Sequence, residues 1–156
     1  MHPNYQRADH WSAIVIGAAI EVHRLKGPGL LEDIYQRCLL RELELQRVPV
    51  ESQLQVPVEY KGLVFDQPLR LDVFVDRCLV IELKAADVLL PIHKAQLLSY
   101  MRLLDAPLGL LVNFHALRLK DGIARCILPG ANQPDTRPGP AGQTGPGLRV
   151  QKEIAK

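Results

Sequence analysis

Residues 69–84, LRLDVFVDRCLVIELK, have the pattern of a β-hairpin. With 76–78 as the loop, the residues that meet on one face are all apolar, and this pattern favours one register of the two strands. The predicted pairs on that face are Val75 with Leu79, Val73 with Ile81, and Leu71 with Leu83. On the other face Asp72 lies opposite Glu82. Like charges in this position destabilise a sheet, so the carboxylate pair indicates either a shared proton or a bound cation.

Oxygen ligands of this kind suit Mg²⁺ or Mn²⁺, which keep several waters and accept phosphate oxygens. Lys84 is two residues beyond Glu82, so it points to the same face at about 7 Å along the strand. Its ammonium can position or help deprotonate a water and can stabilise charge on a phosphate. A cation with a neighbouring lysine therefore predicts hydrolysis of phosphodiester bonds.

The register of this hairpin has one alternative. A shift by two residues places Asp72 opposite Lys84 and makes an ordinary cross-strand ion pair. The predicted loop lacks the glycine that a three-residue loop usually has in its left-handed position. The pattern alone therefore leaves both registers open.

On both sides of the hairpin, the pattern of apolar residues alternates between helical and strand periods. The predicted elements are helices over 11–24 and about 31–43, strands over 50–60, 69–75 and 79–85, a helix over 93–104 with Pro91 at its start, and strands over 108–114 and 123–128. Lys61–Gly62 predicts a turn after the first strand. This order predicts an α/β (α+β) domain with a mixed central sheet of about 4–5 strands flanked by helices.

The predicted domain covers residues 11–128, between a flexible N-terminus (1–10) and a disordered tail (129–156). Ten of the 28 tail residues are Gly or Pro, and such a segment buries too little apolar surface to offset its ordering entropy.

Three cysteines have no C-x-x-C spacing, which favours packing roles and a reducing cytoplasm. The longest apolar stretch, Ser12–Ile20, is too short for a bilayer, which needs about 20 residues, and no membrane is expected. A signal peptide is the alternative for this stretch, and the preceding Asp9 and His10 weigh against it.

The net charge of +2 comes from the tail, because residues 1–128 contain 15 basic and 15 acidic side chains. A domain that held duplex DNA mainly through its net field would be basic. Contact with nucleic acid is therefore expected to be local, or to depend on a metal ion for its positive charge.

Asp72 followed by Ile81-Glu82-Leu83-Lys84 resembles the D…(D/E)-x-K signature of the PD-(D/E)XK nuclease superfamily. The segment 29–35, GLLEDIY, resembles the signature that names its GxxExxY group, a bacterial and archaeal family. The similarity covers about residues 11–128 and extends to the segments 22–23, 27–29, 70–72, 96–100 and 109–114. This resemblance implies a restriction-endonuclease-like core.

The resemblance also implies the roles of the site residues. Asp72 and Glu82 are expected to bind the metal, Lys84 to be catalytic, and Glu32 to match an acidic position that often assists the metal. Gln96 and Tyr100 match the Q-x-x-x-Y motif that lies beside the active site of RecB-like nucleases, and their i, i+4 spacing puts them on one helix face. Two alternatives stay open: Glu32 as a residue that only favours a helix N-terminus, and Gln96–Tyr100 as a polar seam between helix and sheet.

The implied function is that of a Mg²⁺- or Mn²⁺-dependent nuclease that acts on nucleic acid, with DNA expected before RNA. The alternative is a catalytically silent nuclease fold that binds nucleic acid or a protein partner. The oligomeric state is open, a homodimer included.

Overall fold

A computed structural model describes residues 1–134 of the chain. The elements in chain order are α1 (Tyr5–Lys26), α2 (Glu32–Leu45), β1 (Val50–Val56), β2 (Glu59–Tyr60), β3 (Leu63–Val64), β4 (Leu69–Val75), β5 (Leu79–Lys84), α3 (Pro91–Leu103), β6 (Leu108–Asn113), a 3₁₀ turn (Leu119–Gly122) and β7 (Ile123–Ile127). Three helices and a mixed sheet confirm the predicted fold class.

The main sheet has five strands in the order β1-β4-β5-β6-β7. Strands β5 and β6 are parallel and are joined by the crossover helix α3, whereas the other neighbours are antiparallel. One buried cluster packs α1 and α2 against one face of the sheet, and a second packs α3 against the other face. Strand β6 is buried along its whole length, as expected for a short apolar run covered on both faces.

The pairing of β4 with β5 confirms the predicted register as far as Val73, which lies opposite Ile81. Beyond that point the prediction for Leu71 is wrong. Leu71 packs in the α3 cluster with Phe74, instead of facing Leu83 in the α1–α2 cluster. Across from Asp72 on β1 is Gln53, whose φ of 50° is uncommon for a residue with a side chain. The regular alternation of faces along β4 is therefore lost at Leu71.

The predicted first strand, 50–60, is divided into two. Strand β1 ends at Val56, before Pro57, which has no N–H to donate to a sheet. Strands β2 and β3 then form a separate two-stranded sheet. The predicted turn at Lys61–Gly62 is confirmed, with φ values of 47° and 86°, and glycine accommodates the second of these without strain.

Helix α1 begins at Tyr5, so residues 5–10, which the sequence places in the N-terminal segment before the domain, are helical. The extension is held by its contacts with the β4–β5 loop. Asp76 accepts a hydrogen bond of 2.9 Å from Trp11 Nε1 and pairs with Arg7 Nε at 3.0 Å. These partners are distant in sequence, which is why local periodicity misplaces the start of the helix.

The chain also packs beyond residue 128. Ala131 is buried, and its carbonyl accepts a hydrogen bond of 2.8 Å from the His2 N–H. The larger part of the predicted tail, 135–156, lies outside the described residues. Within residues 1–134, no helix combines the length and the apolar character that crossing a membrane requires.

A chain shortened to end at Pro134 is expected to melt at the temperature of the full chain, because the Gly/Pro-rich remainder cannot offset its ordering entropy. A chain that ends at Leu128 should melt lower, since it loses Ala131 and the bond to His2. Differential scanning calorimetry of the three chains decides this. A fall in melting temperature for the first truncation would place 135–156 within the folded unit.

Candidate active site

The two carboxylates of the hairpin lie where the β4–β5 ladder ends. Asp72 N–H donates to Glu82 Oε1 at 3.3 Å, and Leu83 N–H donates to Asp72 Oδ2 at 2.9 Å. Each carboxylate therefore occupies the place of a backbone carbonyl in the opposite strand. This leaves Oδ1 of Asp72 and Oε2 of Glu82 for a further partner. The alternative register, with Asp72 opposite Lys84, is excluded by the observed pairing.

Glu82 is 8 % exposed, and its surroundings disfavour its charged form. Burial first, and then the charge of Asp72, raise the pKa of Glu82 to about 8, although Lys84 and the Asp72 N–H act in the opposite direction. With both groups ionised, the pair would carry more negative charge than its neighbours in the chain compensate. A divalent cation between the two carboxylates would remove this excess.

All six residues predicted for the site line one cleft of about 380 Å³. They come from four elements: Glu32 from α2, Asp72 from β4, Glu82 and Lys84 from β5, and Gln96 and Tyr100 from α3. Leu69, Arg70, Ile92, Ala95 and Ser99 complete the lining. Of these, Arg70 is not among the site residues predicted from the sequence. Its position two residues before Asp72 on the same strand is the feature from which it could be predicted.

Glu32 is the first residue of α2, and it also lines the cleft, so both interpretations of this residue apply. Partial burial first, and then the charge of Asp72, raise the pKa of the Glu32 carboxyl, whereas Lys84 lowers it. The charge of Asp72 therefore acts on both glutamates of the cleft.

The turn before Glu32 is fastened by Tyr35, three residues after it. The Tyr35 hydroxyl accepts a hydrogen bond from Leu30 N–H at 3.0 Å and donates one to the Gly27 carbonyl at 2.5 Å. Its ring stacks on Phe114 of the segment after β6, with centroids 4.6 Å apart. The motif residues of the 29–35 segment thus belong to one turn, which places the Glu32 carboxylate in the cleft.

Two histidines form hydrogen bonds that involve the loop after β6. His115 Nε2 lies 2.8 Å from the Leu30 carbonyl, and His23 Nε2 lies 2.7 Å from the Ala116 carbonyl. Neither partner is near in sequence, so sequence reasoning could not assign His115 this role. His115 therefore joins the turn before α2 to the loop after β6, and His23 joins α1 to the same loop.

We expect Tyr35→Phe to lower the free energy of unfolding by about 1–3 kcal/mol, because the Leu30 N–H and Gly27 carbonyl lose their partner while the stacked ring remains. Urea denaturation measures the effect. Tyr5→Phe is the matched control on α1 and should change stability little. Equal stability of Tyr35→Phe and the parent would show that the hydroxyl does not hold the turn.

The two α3 residues make different contacts. The Tyr100 hydroxyl donates to the Arg70 carbonyl at 2.9 Å, which ties the helix to β4 as the polar-seam interpretation expects. Burial, followed by the charges of Glu82 and Asp72, raises the pKa of Tyr100. Gln96 is exposed in the cleft and, within residues 1–134, forms no hydrogen bond through its side chain. His93 Nδ1 accepts a bond from Leu90 N–H and caps the helix start.

Comparison with protein families matches residues 9–126 to the PD-(D/E)XK nuclease superfamily. The match covers most of the chain, and the chain therefore belongs to this superfamily. Among solved structures, the crystal structure of SSO0001 is similar, with 29% sequence identity and a TM-score of 0.45, over 60% of this chain and 47% of that chain. The chain thus spans about half the length of SSO0001. No curated protein matches this chain.

Proposed function

We propose that this chain is a nuclease that uses Mg²⁺ or Mn²⁺ to hydrolyse phosphodiester bonds of nucleic acid, with DNA as the first expected substrate and RNA as the second. One observation carries the proposal: the mutually repelling Asp72–Glu82 pair lies in a cleft beside Lys84. Membership of the superfamily supports a nuclease. The activity, the metal and the choice of DNA are the proposal.

The donor set fits a hard divalent cation. Asp72 and Glu82 offer carboxylate oxygens, and within residues 1–134 no group of three or more His, Cys, Asp or Glu side chains is placed to hold a metal ion. Mg²⁺ usually binds through one or two carboxylates and fills its remaining positions with water and substrate phosphate. A bound cation would supply Lewis acidity and positive charge at the phosphate.

The remaining residues have roles that follow from their positions. The Lys84 ammonium would orient the attacking water and stabilise the charge that develops on the phosphate. Glu32 would assist the cation from α2, and Gln96 would contact the substrate from α3. Tyr100 would act as a positioning residue, because its hydroxyl holds the Arg70 carbonyl.

The finer classification is also a proposal. We assign the chain to the GxxExxY group because Gly29, Glu32 and Tyr35 cooperate in one turn, in which Gly29 has a φ of 102° that only glycine adopts easily. We also propose a cytoplasmic location, which the three free cysteines among the described residues support. Two further points remain predictions. One is the division of the chain into a domain over about 11–128 and a tail, and the other is the oligomeric state, for which a homodimer is one option.

Incubation with circular and linear DNA and RNA tests the proposal, with Mg²⁺, with Mn²⁺ and with chelator in parallel. Cleavage that needs a divalent ion and stops in chelator is the expected result. Cleavage of circles would identify an endonuclease. Absence of cleavage with every ion would contradict the proposal and favour the silent binding module, which the balance of 15 basic and 15 acidic residues in 1–128 also allows.

A further inference from the structure

The β2–β3 hairpin has one face made entirely of apolar residues. Tyr60 pairs with Leu63, and Phe65 N–H donates to the Val58 carbonyl at 3.1 Å. Residues that lie opposite each other in antiparallel strands project from the same face, so these four side chains form one surface. Tyr60 is 63 % exposed, Leu63 58 % and Phe65 49 %.

This apolar face needs a partner. The hairpin is a two-stranded sheet separate from the main sheet, and a hairpin of this size is at best marginally stable alone in water. Large apolar side chains that are exposed together usually mark a contact surface. Within residues 1–134 the three large side chains of this face remain largely uncovered.

The charges on the hairpin identify the kind of partner. The Lys61 ammonium lies 5.4 Å from the centroid of the Tyr60 ring, on the apolar face. The acidic residue of the hairpin, Glu59, pairs with Val64 and projects from the opposite face. The apolar face therefore combines two exposed aromatic rings with a cation. Aromatic rings with nearby positive charge are what unpaired bases and their phosphates bind.

The hairpin also leads directly into the candidate active site. The chain leaves β3 and enters β4 at Leu69, and both Leu69 and Arg70 line the cleft. Arg70 is exposed and adds a second cation to the lining of the cleft, beside Lys84. The hairpin and the cleft are therefore joined by the short segment of chain between β3 and β4.

We propose that this face of the hairpin binds unpaired nucleotides of the substrate, with bases stacked on Tyr60 and Phe65 and a phosphate near Lys61. The inference rests on the proposed nuclease function and specifies its substrate class. The enzyme acts on nucleic acid that is single-stranded next to the cleaved bond, and fully paired duplex is a poor substrate.

The test compares kcat/KM for a single-stranded DNA oligonucleotide with kcat/KM for a blunt duplex of the same sequence, in Mn²⁺. The parent is expected to favour the single strand. Tyr60→Ala should lower kcat/KM on the single strand by about fivefold or more, since stacking of one base contributes about 1–3 kcal/mol and tenfold corresponds to 1.4 kcal/mol. Its effect on the duplex should be small.

Three further variants identify the cause of such a loss. Tyr60→Phe keeps the ring and should retain the activity of the parent. Leu117→Ala, at another exposed apolar residue (87 % exposed), is the matched control and should have no effect. Lys61→Ala should reduce the slope of log kcat/KM against log salt by about 0.7, as expected when one phosphate contact to a single strand is lost. Tyr60→Ala should leave this slope unchanged.

The outcomes separate the two proposals. An active parent that prefers duplex, or a Tyr60→Ala variant equal to the parent on single strands, overturns the hairpin inference and leaves the nuclease function standing. A parent inactive on both substrates overturns both. Sedimentation of the same proteins tests whether the face instead binds a second copy of this chain. If the parent is a dimer, and Tyr60→Ala dissociates it without changing single-strand cleavage, the face is a dimer interface.

Discussion

Replacing Lys84 by alanine should lower the rate of cleavage by at least about 100-fold, because a donor aimed at developing charge in a water-poor site typically contributes a factor of 10²–10³. The affinity for Mn²⁺ should stay nearly intact, since the lysine is not a ligand and the oxygens of Asp72 and Glu82 remain. Calorimetric titration with Mn²⁺ and cleavage assays measure the two effects on the same protein.

Lys120→Ala is the matched control for this substitution, because Lys120 is exposed in the 3₁₀ turn far along the chain from the cleft. It should alter neither cleavage nor metal binding. If Lys84→Ala abolishes Mn²⁺ binding as well as cleavage, the lysine supports the ligands and its assignment to the water and the phosphate is wrong.

The second large effect concerns Asp72→Asn, which tests the metal site through stability alone. In chelator the variant should be as stable as the parent or more stable by about 0.2–1 kcal/mol, because it removes a like-charge contact with Glu82. The amide oxygen of asparagine can still accept the hydrogen bond from Leu83 N–H. With Mn²⁺ at 100-fold its dissociation constant, the parent should gain about 2.7 kcal/mol and the variant much less.

In chelator, the difference in stability between Asp72→Asn and the parent should also depend on pH. The pKa of Glu82 is raised from 4.5 to about 8, so between these values the unfolded chain releases a proton that the folded chain keeps, and the parent loses stability as pH rises. Asp72→Asn lowers the pKa of Glu82 towards its ordinary range. The advantage of the variant should therefore be small near pH 5 and grow as the pH approaches 8.

Urea denaturation of both proteins, in chelator and in Mn²⁺, distinguishes the interpretations. Glu51→Gln is a suitable control, because Glu51 pairs with the exposed Arg77 and lies outside the cleft. A loss of stability by Asp72→Asn that is equal with and without the ion would mean that Asp72 has a structural role, and the metal-site assignment would fail.

Much of the fold follows from local patterns. The alternation in 69–84 predicts the hairpin and its register up to Val73, and the apolar run 108–114 predicts a strand buried on both faces. Lys61–Gly62 predicts a turn because glycine tolerates positive φ. In each case the information lies within a few residues, where side-chain period and turn chemistry decide the conformation.

The features that the sequence does not predict depend on distant partners. Helix α1 extends to Tyr5 because Asp76 of the β4–β5 loop binds Arg7 and Trp11. The alternation of faces along β4 is lost at Leu71, close to a positive φ at Gln53 of β1, and glutamine is a residue type that does not predict a positive φ. Period-two reasoning assumes a regular strand, and it fails where the backbone bends.

For the candidate site, the sequence identifies six residues that come from four elements and line one cleft. It does not identify how each is held. The Tyr100 bond to the Arg70 carbonyl, the Tyr35 bonds to the turn before Glu32, and the contact of His115 with that turn all join segments whose proximity only the folded chain reveals. Residue types and spacing indicate chemistry, whereas positioning requires the structure.

The turn before Glu32 is bonded to the loop after β6, and this contact can form only after both segments have been synthesised. Leu30 leaves the ribosome early, but its partner His115 is made 85 residues later. Contacts between such distant segments form late because closing a long loop has an entropic cost. A nascent chain that ends before β6 therefore lacks the anchor for Glu32. The Glu32 carboxylate is therefore fully positioned only when nearly the whole domain has been synthesised and folded.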